Sequence, residues 1–145
     1  MFKLYKGNSE SGAVPMERFI ASGAIAEGAP VALAAGASGA ELGKVSQLVG
    51  GSAATELVYG VAAHAAADTT EVLIIPASPG FVWVADSVAN TNVTSVAQDN
   101  YLTSTTLTVT VGASTNQGRK CAIIGVKGAT GDKKLLVRFA NTYGM

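Results

Sequence analysis

The chain has 145 residues, 48% of them apolar and only 14% charged, with ten basic side chains balancing ten acidic ones. A domain of this length buries about two-thirds of the surface its unfolded chain exposes and needs no staple, and a lone cysteine, Cys121, permits no intramolecular disulfide. Zero net charge argues against a dedicated nucleic-acid binder, no run approaches the ~18–20 apolar residues that span a bilayer, and "MFKLYKGNSE" lacks the apolar core of a secretory signal.

Residues 1–16 are expected to form an extended arm. Phe2, Leu4 and Tyr5, with Val14, are its only large anchors, and "GNSESG" reads as linker. On a polar, Gly-rich arm these side chains are expected to serve contacts to a neighbour, by addition to a sheet edge. From residue 17 to 145 the chain is expected to be one β-rich domain, with sub-blocks at 17–86 and 105–145. Strands are predicted at 17–25, 30–35, 43–49, 56–62, 71–75 and 80–85, punctuated by "AEGAP" and "SPG" turns. Ala62 to Ala67 is too short to hold a helix on propensity alone and reads as a loop or single turn. Residues 87–104, rich in Asn, Thr and Ser, are compatible with a crossing loop or a short helix. A second β block follows in "TTLTVTV" (105–111), "RKCAIIGVKG" and "KKLLVRFA", the last two separated by the hairpin turn "ATGD". Turn signals about every ten residues predict an all-β fold, an antiparallel barrel or sandwich of short strands.

Candidates for chemistry are few. His64 is flanked by alanines, with Asp68 four residues on, a pair that faces only if the turn is helical. Cys121 lies in the apolar run "CAIIGV", where a buried, inert thiol is the expectation. "GASTNQGRK" (112–120) has five residues between its glycines where a phosphate-binding loop has four, and it opens no helix, so it reads as a hairpin loop. No catalytic, cofactor or metal set is predicted. Trp83, in "GFVWVAD", suits either a barrel wall or an interface anchor.

Charge is unevenly spread. Residues 41–99 hold six acids against Lys44 alone, whereas Arg119, Lys120, Lys127, Lys133, Lys134 and Arg138 face only Asp132 within 119–138. Either these mix in space on folding, or they orient a docked molecule. An ordinary soluble domain is about 25% charged, so a surface partly covered by protein is expected. Phe2, Leu4, Tyr5, Trp83, Arg119, Lys120, Lys133 and Lys134 are the candidate partner-interface residues.

"FIASGAIAEGAPVAL" followed by "LVYGVAAHAAADTTEVLIIPASPGFVWVAD" resembles small bacteriophage capsid decoration (cement) proteins. The resemblance covers about residues 17–86 and rests on a hairpin turn at Glu27–Gly28–Ala29–Pro30–Val31, the strand Gly60–Val61–Ala62, the run Val72 to Ile75, and Gly80. It implies a β-barrel subunit, a homotrimer, bound outside an assembled icosahedral shell of major capsid protein. Such a subunit bridges capsomers against internal DNA pressure, without cofactor or chemistry. The implied location is the virion exterior, after synthesis in the bacterial host cytoplasm. Two rivals from other classes are a carbohydrate- or receptor-binding barrel of a fibre or tail, with Trp83 and Tyr101 stacking on sugars, and a small hydrolase using His64.

Overall fold

The structure, a computed structural model, describes residues 1–6, 14–34, 43–48, 57–87, 99–102, 109–111, 121–129 and 131–140. Its strands in chain order are β1 (Phe2–Lys6), β2 (Glu17–Ala21), β3 (Pro30–Leu33), β4 (Lys44–Gln47), β5 (Gly60–Ala62), β6 (Glu71–Pro76), β7 (Val82–Asp86), β8 (Asp99–Leu102), β9 (Val109–Val111), β10 (Cys121–Val126) and β11 (Lys134–Phe139). Strands β2-β4-β3-β5-β6 close into a barrel, and β1-β7-β11-β10-β8-β9 form a six-stranded sheet. The all-β expectation therefore holds, with a barrel and a sheet side by side. Not every pairing is antiparallel: β2 runs parallel to β4, matching Ile20 with Lys44 and Ala21 with Val45.

A barrel of only five strands encloses a narrow bore, which side chains must fill completely. Ala21, Ala29 and Ala62 meet Ile25, Val31, Val45, Val72 and Ile74 there, all at most 2% exposed. Ala21, Ala29 and Ala62 thus supply the small filling a tight barrel requires. Pro30 stands at the first position of β3, where its missing N–H costs no ladder bond. Its carbonyl accepts the Leu48 N–H at 2.9 Å.

Alternation along β5 and β6 turns Val61 and Ile75 outward from the barrel, and there they join the sheet's buried face. That shared layer holds Phe2, Phe81, Trp83, Ala85, Val109, Cys121, Ile123, Leu135 and Val137, with Phe139 packed against it. Phe139 lies 5.2 Å from the Phe2 ring and 5.7 Å, edge-on, from Trp83.

Three expectations are corrected. Residues 2–6 are no free arm: β1 pairs along β7, Phe2 opposite Ala85 and Leu4 opposite Trp83, because the alternating apolar residues of "FKLYK" have a core of their own chain to enter. The 17–86 block divides, since the barrel takes strands from 17–76 while β7 joins the C-terminal strands. Within 87–104, residues 99–102 are a strand rather than a loop or helix, paired with both β10 and β9.

Two glycines carry close approaches. At Gly28, with φ +71°, an added Cβ would strike Met1 and sit 3.1 Å from the Phe2 carbonyl oxygen, because β1 crosses over this turn and donates its Phe2 N–H to the Gly28 carbonyl at 2.9 Å. At Gly60 a Cβ would collide with the Ile75 carbonyl oxygen and lie 2.6 Å from Ile74 Cγ2. We expect Gly60→Ala to lower stability by about 3 kcal/mol, the upper range for overpacking a rigid site. Gly23→Ala, at φ +83° with nothing within 4 Å, should cost only the left-handed backbone term of about 1–2 kcal/mol. Urea denaturation of both variants checks this; equal losses would contradict the tight β5–β6 packing.

Candidate functional site

The outer face of the six-stranded sheet, beside β1, carries a groove among the described residues. Strand alternation sends Phe2 and Leu4 toward the apolar layer and Lys3 and Tyr5 toward solvent. On β7 the same alternation buries Trp83 and Ala85 and turns Val84 and Asp86 outward, and Lys134 lies directly opposite Asp86 on β11. The result is a groove of about 630 Å³ lined by Met1, Lys3, Leu4, Val84, Asp86, Lys127, Gly128, Asp132 and Lys134. The β10–β11 hairpin walls one side. Its turn is tied by the Asp132 carboxylate, which accepts the Ala129 N–H at 2.7 Å, and by Gly128 and Gly131 at φ +85° and +98°.

Charges in the groove are unevenly satisfied. Asp86 accepts from the Met1 ammonium at 3.1 Å and from Lys134. Burial pushes its carboxyl up, but hydrogen bonds and charge from Lys134 and the amino terminus outweigh that and hold it below the ordinary carboxylate value. Lys127 places its ammonium 4.6 Å from the centre of the Tyr5 ring, a cation–π contact.

The predicted interface residues separate on inspection. Phe2 and Trp83 are 2% and 1% exposed and belong to the protein's own core, so neither offers surface to a partner. Large rings enter the interior wherever an apolar layer is available to them. Leu4 is half-buried, packed against the apolar layer while bordering the groove, and Tyr5 is 53% exposed beside Lys127 of the lining. Lys134 lines the groove but is engaged with Asp86. Lys133 is exposed, its backbone at φ +54° and its carbonyl accepting the Ser87 N–H at 2.8 Å. Arg119 and Lys120 lie outside the described residues. Lys3, Val84, Asp86 and Lys127 were not anticipated. The alternation within "FKLYK" and "VWVAD" contains the signal for the first three, but it becomes readable only once β1 is known to pair with β7.

His64 is exposed yet occupied. The Leu73 N–H can only donate, so Nε2 at 3.2 Å accepts, and Nδ1 carries the proton that meets the Ala65 carbonyl at 2.8 Å. The ring staples its turn to β6. Asp68 does not face it, because the turn is not helical; its carboxylate instead accepts the Gly23 N–H at 2.8 Å. Across the barrel, the Tyr59 hydroxyl donates to Glu17, and its pKa is pushed up to about 12 by burial, by that bond and by the Glu17 charge. Cys121 is 1% exposed, as a strand thiol in "CAIIGV" should be. Among the described residues no group of three His, Cys, Asp or Glu side chains could hold a metal ion. The sugar-stacking arrangement loses Trp83 to the core, and the side chain of Tyr101 lies outside the described residues.

No protein-family model matches the chain, and no curated protein matches it either.

Phe2→Ala should cost about 3–5 kcal/mol, the usual penalty for emptying a core aromatic site, while Tyr5→Ala should change stability by less than about 1 kcal/mol. Deleting residues 1–12 should likewise destabilise the fold, and a melt as high as that of the intact chain would contradict the core placement of β1. A second test uses pH. Because Asp86 is held below its ordinary value of 3.8, the stability it contributes is present above that value and drains away as acid protonates it in the folded state. Asp86→Asn should therefore show a shallower loss of stability than the parent below about pH 3.8, read from acid-dependent denaturation midpoints.

Proposed function

We propose that this chain is a structural subunit of a phage particle: it binds the outside of an assembled capsid and stabilises it by bridging capsomers, through covered area rather than bond-breaking. The observation that carries the reading is a set of exposed aliphatic side chains on a weakly charged chain. Val14, Met16 and Ile20, on and just before β2, are 43%, 49% and 38% exposed, and Ile124 on the sheet is 40% exposed. Side chains of this kind on a chain only 14% charged suit a surface that works while covered.

The resemblance to decoration proteins supports the same reading, and its positions have mechanical roles here. Gly28 makes the turn over which β1 crosses, Gly60 admits the close β5–β6 contact, and Gly80 takes the positive φ of +87° that leads into β7. The partners in this reading are the major capsid protein and further copies of the chain as a homotrimer on the virion exterior. A patch of ~800 Å² per partner suffices for specific binding, and three linked sites raise the effective hold without any stronger single contact.

The sugar-binding alternative is disfavoured by the burial of Trp83, and a His64-based hydrolase by the engagement of both ring nitrogens. Purified protein mixed with empty shells of the same phage, assembled without it, should co-sediment to a fixed stoichiometry and raise the temperature at which the shells rupture. Absence of co-sedimentation at concentrations on the order of 10 μM, where even modest affinity would register, would overturn the proposal.

A further inference from the structure

We propose that the groove beside β1 holds an extended acidic peptide segment that also carries an aliphatic side chain. Its occupant would be a stretch of a partner protein, recognised by cations on the rim and by apolar surface beneath.

Charge gives the first argument. The lining brings Lys3, Lys127, Lys134 and the amino terminus to one place, against the carboxylates of Asp86 and Asp132. Asp86 is already shared between Lys134 and the amino terminus. Asp132 is turned into its own hairpin, where it accepts a backbone N–H. Lys3 and Lys127 are therefore left without a carboxylate partner among the described residues. The Tyr5 ring supports Lys127 from one side. The ring occupies one side of an ammonium that has three donors, so Lys127 keeps donors for a carboxylate arriving in the groove.

The second argument is the floor. Val84, half-buried and turned outward on β7, lines the groove, and Leu4, whose side chain packs on the layer beneath, borders it. Apolar surface recognises an aliphatic side chain and gives nothing to a sugar–phosphate backbone, which would also meet the two carboxylates of the lining. A volume of about 630 Å³ lies within the range of sites that enclose small ligands or short peptide stretches. A chain laid along β1 presents alternate side chains to opposite sides, so acids and aliphatics placed alternately meet rim and floor in turn.

The assay needs no shell, so its result stands apart from the capsid role proposed above. A fluorescein-labelled hexapeptide of alternating aspartate and leucine, titrated with the full chain at low salt, should bind with micromolar Kd by fluorescence anisotropy. The K3Q/K127Q variant, which changes only exposed side chains, should bind at least tenfold more weakly while melting at the parent's temperature, and K3E/K127E more weakly still. Arg18→Gln, on the barrel and outside the groove, should bind as the parent does. Replacing the leucines by serine should weaken binding at least threefold. The inference is overturned if the hexapeptide fails to bind, if K3Q/K127Q binds it unchanged, or if a thymidine hexanucleotide binds more tightly than the peptide.

Discussion

The apolar layer between barrel and sheet is the constraint on which the architecture depends. Val61 and Ile75 belong to the barrel wall, yet their side chains are partners of Trp83, Leu135 and Val137. Remove that layer and each half is poorly provided for. The barrel would expose part of its wall, and the sheet would keep no buried face at all. Phe139 touches both this layer and the neighbouring cluster of Ala32, Leu48, Val58 and Ala77, so one ring joins the two hydrophobic regions. The site follows from the same arrangement. With one face of the sheet committed to the barrel, alternation leaves Lys3, Val84, Asp86 and Lys134 on the other, and the groove is what that face presents to solvent.

The economy of side-chain size supports this. The five-stranded bore is filled by Ala, Val and Ile, and the large rings Phe2, Phe81, Trp83 and Phe139 gather in the layer beside it. Phe19 and Tyr59, packed edge-on at 5.1 Å, sit against the barrel cluster only partly buried. Low charge, read in the sequence as a sign of a covered surface, goes with the exposed aliphatics outside the barrel, while Ala21, Ala29 and Ala62 answer to the narrow bore.

Much of the fold was legible in advance because it is written in short-range grammar. Alternation and turn glycines placed β2, β3, β4, β6, β7, β10 and β11 within a few residues, and "ATGD" marked the β10–β11 hairpin. Strand β8 was not legible: "DNYL" is polar, and its pairing with β10 and β9 is decided by partners far along the chain. The parallel β2–β4 match was hidden for the same reason. The groove suffered most. Phe2 was read as an interface residue because nothing local to "MFKLYK" says that Trp83 and Phe139 wait to pack on it. Once Phe2 is assigned to the core, Lys3 and Tyr5 must face outward, and Asp86 follows from its register with Lys134.

The placement of β1 at the sheet's edge sets an order of events for a chain made from its amino end. Among the described residues its strand partner is β7, and Met1 meets Asp86 across 85 residues of sequence. Every strand of the barrel is therefore available before the first strand has anywhere to go, and the Gly28 turn on which it rests is ready long before its sheet neighbour. Until residue 86 has been synthesised, β1 can reach the Gly28 turn but not the strand that pairs along it. Lys3, together with the irregular register between Leu4 and Lys6, makes that segment a poor template for a neighbouring chain during the wait.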